Sequence, residues 1–174
     1  MNKLTLTAAK EYAKEKFSEL DPLMQEWNTI HSRGIIAALE LLSCSRDELI
    51  AVAWVHDVGK VRGEEDHARQ GLLMLEQDFL LDAVARECIA EHGSGGNPKT
   101  KEGKLFRCAD GLSLFIPEVV RFRYFAEGKE GLSFAKINQR MEKLYAKYKG
   151  AYAENELALG ILEKLWSALA INTK

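Results

Sequence analysis

The chain has 174 residues, of which 47% are hydrophobic and 29% charged, and its formal net charge is −2. A chain of this length buries about two-thirds of the surface its unfolded form exposes, so one domain without staples is expected. The composition excludes collagen-like, disordered and disulfide-dense classes, and the near-neutral charge excludes a dedicated nucleic-acid binder, which advertises a strongly basic balance.

Only three prolines interrupt the chain, and apolar residues recur at three- and four-residue spacing almost throughout. That pattern predicts an all-α, single-domain helical bundle. A first helix is expected over residues 7–19, ending before the Asp21-Pro22 turn. A second, over 22–43, carries Trp27, Ile30, His31, Ile35, Ala38 and Leu42 along one stripe. Ser45 followed by Glu48 is a capping-box pattern, and it opens a third helix reaching Gly59, with Leu49, Val52 and Val55 on its apolar face. The charged turn 61–65 precedes a fourth helix over 66–77, and a fifth covers 79–92. Gly93-Ser94-Gly95-Gly96-Asn97-Pro98 then breaks the pattern, because glycine relieves backbone restrictions at a helix end and proline bars continuation. Helix six spans 101–115, and a shorter one runs from Pro117 to Ala126. The turn 127–131 leads to a helix ending near Lys149. A final amphipathic helix over 154–170 sets Leu157, Ile161, Leu165 and Leu169 in a stripe that fits either a cover for the core or the seam of a homodimer.

The three cysteines, Cys44, Cys88 and Cys108, are odd in number and form no C-x-x-C pair, so they read as reduced thiols in or near the core. The N-terminal MNKLTLTAAKEYAKEK lacks the apolar stretch of a signal peptide. No run approaches the roughly 18 apolar residues that span a bilayer, so a cytoplasmic protein with no membrane partner is expected.

Histidines and aspartates fall on the apolar stripes. His31 lies between Trp27 and Ile35, His56 follows Leu49 and Val52, and His67 leads to Gly71 and Met74. His92 follows Cys88 and Ile89, Asp57 adjoins His56, and Asp110 lies four residues after Phe106. An interior carboxylate left unpaired costs several kcal/mol or more, so protein hydrogen bonds or a cation must compensate. Each residue taken singly has a plainer reading. A lone inward His is more often a hydrogen-bonded core residue, His92 fits a helix C-terminus, and Asp57 or Asp110 fits a helix cap. Together they point to one site built from facing helices, in which His31, His56-Asp57 and Asp110 converge on a metal ion.

The order His31, His56-Asp57, Asp110 resembles the HD-domain superfamily of metal-dependent phosphohydrolases over about residues 24–125. His67 in Asp-His-Ala-Arg-Gln-Gly and His92 in Ile-Ala-Glu-His-Gly resemble the extra histidines of members that bind two metals. The stretch 98–110 is similar to the lead-in to the last aspartate in small archaeal and bacterial HD proteins. Departures narrow the likeness. Gly59-Lys60 stand where hydrolases of the alarmone ppGpp continue H-D-x-x-E-D. The G-Y-P signature of cyclic-di-GMP phosphodiesterases is absent, although residues 56–60 match their H-D-x-G-K segment. Single-metal nucleotidases usually lack the two middle histidines, so the best resemblance is to a compact two-metal member.

That resemblance implies one or two divalent transition metals, Fe, Mn, Zn, Ni or Co, since imidazole and carboxylate donors suit all five. His31, His56, Asp57 and Asp110 would hold one, and Asp57 would bridge to a second held by His67 and His92. The implied activity is hydrolysis of a phosphoester in a nucleotide or related phosphorylated small molecule by a metal-activated water, with Asp57 and Lys60 as catalytic residues. Lys60, Arg62 and Lys104 are candidates to meet the substrate's phosphate, against the plainer reading of solvated surface cations. Substrate walls are expected at 94–104 and 121–131. Two other readings stay open at this point, an HD-type di-iron oxygenase with the same six ligands and a non-catalytic nucleotide- or protein-binding HD module.

Overall fold

Helices form almost everywhere the periodicity predicts them in the computed structural model, which describes residues 1–63, 65–93 and 95–169. In chain order these are α1 (Leu6–Phe17), α2 (Pro22–Leu41), α3 (Asp47–Val55), a 3-10 turn (Val58–Arg62), α4 (His67–Asp78), α5 (Ala83–Ala90), α6 (Lys101–Ser113), α7 (Pro117–Lys129), α8 (Phe134–Ala151) and α9 (Glu156–Leu169). The fold class is all-α, as the spacing predicts. Local chemistry sets the helix starts. Thr5 accepts the Ala8 N–H, Asp21 accepts those of Leu23 and Met24 ahead of Pro22, and Thr100 accepts that of Gly103. Each cap satisfies donors that a helix N-terminus leaves without an intrahelical partner.

Several boundaries and one helix face differ from the expectation, α7 running on to Lys129 past Ala126 among them. Ser45 is not a cap; α3 begins after Arg46, which makes no side-chain capping bond, and Asp47 and Glu48 in the first turn complement the helix dipole instead. The same helix stops at Val55 rather than Gly59, and the chain tightens into 3-10 geometry from Val58, a usual way of closing a helix end. Phe79 does not open a helix. It forms β2 (Phe79–Leu80), paired in parallel with β1 (Asn2–Lys3), while its ring meets Tyr12 edge-on at 5.3 Å. The fifth helix waits for Asp82, whose side chain accepts the Ala85 N–H. In α9 the expected stripe holds at Ile161, which is buried, and at Leu165 and Leu169, which pack partly buried on the core, whereas Leu157 is 56% exposed and Ala158 and Leu162 are buried beside the stripe. Ala170 of the expected final helix lies outside the described residues, as do Glu64 of the 61–65 turn and Ser94 of the glycine-rich break.

The core gathers Ile35 and Leu39 of α2, Leu49 and Val52 of α3, Ile89 of α5, and Phe106 and Leu112 of α6. α2 packs along α6 and α7, and α3 lies against α1 and α5. α8 and α9 close the far side of α6. Trp166 stacks on Tyr145 with ring centroids 4.5 Å apart, and both rings meet Phe115 edge-on. Gly111 makes this closure possible, since a Cβ there would overlap the Tyr152 hydroxyl and the Tyr148 ring. Cys88 is buried and Cys44 and Cys108 are half-buried, as packed thiols should be, and burial pushes the Cys88 thiol up to about 12. No described helix is long and apolar enough to cross a membrane.

Candidate metal centre

Six elements deliver the six singled-out histidines and aspartates to one place. His31 comes from α2, His56 caps the C-terminus of α3, Asp57 begins the 3-10 turn, His67 starts α4, His92 follows α5, and Asp110 lies in α6. The approach of α4 depends on bare backbone. A Cβ on Gly59 would overlap the His67 carbonyl oxygen and the Gly71 nitrogen, so only glycine lets α4 press against the 3-10 turn. The chain enters α4 through Asp66 at φ 56°, a left-handed conformation that Asp tolerates better than most residues.

The ring nitrogens that face away from the site are anchored. His56 Nδ1 is 3.0 Å from the Ala53 carbonyl and His92 Nδ1 is 2.7 Å from the Ile89 carbonyl. A carbonyl only accepts, so both rings carry their proton on Nδ1 and direct the Nε2 lone pair inward. His31 reaches the same state through Ser113, whose hydroxyl donates to the Asp110 carbonyl at 2.5 Å and thereby offers its oxygen to His31 Nδ1 at 3.1 Å. Trp27 lies flat against the His31 ring, centroids 5.7 Å apart, and fixes its tilt.

The inward atoms then meet the carboxylates. His31 Nε2 is 3.0 Å from Asp110 Oδ1, and His56 Nε2 is 3.3 Å from Asp57 Oδ2. On the other side, Asp57 Oδ1 is 3.2 Å from His67 Nε2 and 3.4 Å from His92 Nε2, and those two nitrogens are 3.1 Å apart. Lys60 Nζ reaches Asp57 Oδ2 at 2.7 Å, and its side chain is only 12% exposed, so the solvated-lysine reading fails.

These separations test the fit of a cation. Donors about 2.1 Å from a metal at tetrahedral or octahedral angles lie about 3.0–3.4 Å from one another, the spacing seen here. His56 Nε2 is fully buried with no hydrogen-bond partner, an arrangement that costs free energy unless something accepts its lone pair. Two overlapping trios, His31-His56-Asp110 and His56-Asp57-His92, bring one donor atom each close enough to share an ion. Burial alone would push Asp57 up, but His56, Lys60 and His67 hold its carboxyl well below the usual carboxylate range. Asp110 is lowered too, because the His31 hydrogen bond and nearby imidazoles outweigh its burial. Burial lowers His56, which stays neutral, whereas the Asp57 hydrogen bond outweighs burial at His92 and raises it. Anionic carboxylates beside imidazoles whose Nδ1 is anchored are the donor set that a divalent transition metal needs, the metal taking the place of the Nε2 proton that His31 and His92 share with the carboxylates in its absence.

The family model of the HD domain matches residues 24–114, just over half of the chain. The chain belongs to the HD domain family. HD domains bind divalent metals, and the family consists mostly of metal-dependent hydrolases. No curated protein and no solved structure matches this HD chain.

Beside the cluster the HD chain opens a cavity of about 320 Å³ that His92 and Asp110 help to line. Lys104, a candidate from the sequence, stands in its wall. Arg62 is exposed at the end of the 3-10 turn and is not among the lining residues. The expected walls are half right. Asn97, Pro98 and Lys104 contribute from 94–104, but none of 121–131 does, because α7 packs against α2 and sets Arg123 over the Trp27 ring. The opposite wall is one that sequence reasoning missed. It comes from α8 and the turn that joins it to α9, through Lys147, Tyr148, Tyr152 and Asn155. Sequence reasoning also missed Ser113, whose spacing of three from Asp110 is the local signal for its link to His31.

Proposed function

We propose that this HD chain is a metal-dependent phosphohydrolase that cleaves a phosphoester bond of a nucleotide or related phosphorylated small molecule. The observation that carries the reading is the Asp57 carboxylate, nearly buried, with Oδ2 turned to His56 and Oδ1 turned to His67 and His92. In this reading His31, His56, Asp57 and Asp110 would hold one divalent metal, and His67 and His92, together with Asp57, would hold another. Metals so held supply Lewis acidity toward a phosphoryl oxygen and lower the pKa of a bound water toward neutrality.

The remaining work belongs to side chains of the chain. The carbonyls of Ala53 and Ile89 and the hydroxyl of Ser113 hold three imidazoles in the tautomer that ligates. Lys60, on the turn that follows Asp57, brings an ammonium group to the same place and offsets negative charge on the phosphoryl group being transferred. Lys104 in the cavity wall favours an anionic substrate over a neutral one. Arg62 has no part in this reading.

The test is direct. Protein purified without added metal should carry stoichiometric transition metal, and after loading with Mn, Fe, Ni or Co it should release product from members of a nucleotide and phosphodiester panel. Absence of bound metal, or a loaded protein inert toward the whole panel, overturns the reading. Oxygen uptake by the iron-loaded protein that depends on substrate and releases no phosphate would replace hydrolysis with oxygenation.

A further inference from the structure

The cavity beside the cluster is larger and more cationic than one phosphoryl group requires. At about 320 Å³ it falls in the range of pockets that hold whole small molecules, roughly 300–1,000 Å³. Its wall carries Lys104, Arg107 and Lys147, and the one carboxylate in that wall, Asp110, is engaged with His31. Of the nearby acids, Glu87 offsets part of the charge of Lys104 from behind the wall, which leaves Arg107 and Lys147 as the excess. Glu87 accepts from Lys99 N and from Thr100, and Glu91 accepts from Asn97 N, so both serve the loop before α6 and neither lines the cavity. Arg107 is anchored through Nη1 to the Gly96 carbonyl, which places its charge at the rim without ordering cost on binding.

Two of the wall's polar groups come from α8, beyond the stretch that matches the HD family. Lys147 lies with its ammonium 5.3 Å from the Tyr148 ring centroid and is exposed toward the opening. Burial keeps Tyr148 protonated, with its phenol pushed up to about 12, so it serves as a hydrogen-bond donor. Tyr152 spends its hydroxyl on the Cys108 carbonyl at 3.0 Å and is a wall rather than a contact.

We propose that Lys147 and Tyr148 of α8, with Lys104 and Arg107 of α6, form a recognition wall for a second anionic group on the substrate, separate from the phosphoryl group that meets the His/Asp cluster. This rests on the phosphohydrolase reading and deepens it. The substrate class becomes a small molecule with two separated anions, such as a bisphosphate or a phosphorylated acid.

The test uses binding, with probes whose carbon–phosphorus bond resists hydrolysis. Propylphosphonate carries one anionic group; 3-phosphonopropionate and the longer 5-phosphonopentanoate add a carboxylate at two reaches. Calorimetric titration of the full, metal-loaded chain should give at least one carboxylate-bearing probe an affinity about tenfold above propylphosphonate, an advantage that shrinks with added salt. Lys147→Gln should erase most of that advantage, bringing the carboxylate-bearing probe down to within about twofold of propylphosphonate in the same variant; Lys147 is exposed, so the variant keeps its fold. Equal affinities for all three probes in the wild type, or an advantage untouched in Lys147→Gln, would overturn the second-anion wall alone. Failure of every probe to bind the loaded chain would overturn the phosphohydrolase reading itself.

Discussion

Asp57 is 3% exposed and carries the densest set of contacts in the molecule's polar centre. An isolated carboxylate in such a place would lose far more in desolvation than any one neutral hydrogen bond returns, so its anionic state depends on the charges around it. Its two oxygens face different histidines, and that asymmetry separates the effects of two substitutions. Asp57→Ala removes the shared ligand and should abolish metal binding at both positions. His67→Ala removes a donor only on the Oδ1 side and should empty mainly the second position, leaving about one metal per chain. Metal analysis of the two purified variants decides; equal loss in both would contradict the division of ligands around Asp57. The same crowding explains why Lys60 is mostly covered. On a bare sequence a lysine after a helix end reads as solvated, but its ammonium is drawn to the Asp57 carboxylate three residues before it.

Between elements, the decisive contact is the 3-10 turn against α4. Gly59 and Gly71 face each other there, with a Cβ on Gly71 falling 3.2 Å from the Gly59 nitrogen, whereas one on Gly59 would overlap main-chain atoms that cannot rotate away. Gly59→Ala must therefore push α4 off the turn and carry His67 away from Asp57. The expected result is a loss of about 1–3 kcal/mol in unfolding free energy, typical of overpacking. Titrated second-metal affinity should fall at least tenfold while the first is retained. Unchanged affinity at both positions would show that the turn does not set His67. This scale also separates what could be read from sequence from what could not. His31, His56, His92 and Asp110 were legible because helical periodicity alone says which side of a helix faces in. The parallel pairing of Phe79–Leu80 with Asn2–Lys3 was not legible, since a two-residue strand has no period and its partner lies at the other end of α1 to α4. The wall from α8 escaped for a related reason. Tyr148 and Tyr152 reach the cavity across Gly111 of α6, where a Cβ would overlap their side chains, and no local pattern announces a contact between segments so far apart in sequence.

At the scale of the whole chain, the family match ends at residue 114, within the helices that α8 and α9 cover. Phe115 is fully buried, and its ring neighbours Tyr145, Tyr148 and Trp166 all come from those two helices. Met141 of α8 and Ala158 and Leu162 of α9 are fully buried as well, and Ile161 nearly so. Burying each large apolar side chain contributes about 1.5–3 kcal/mol. Losing Met141, Ile161 and Leu162 while uncovering Phe115 and Leu112 therefore removes on the order of 10 kcal/mol, comparable with the entire stability of an ordinary domain. The matched segment should not stand alone, and the chain should unfold as one cooperative unit. A chain cut after residue 131 is expected to lose cooperative thermal unfolding and to bind the apolar dye ANS, with metal binding weakened together with the fold. A truncated chain that melts sharply and still binds metal would show instead that α8 and α9 serve only the cavity wall.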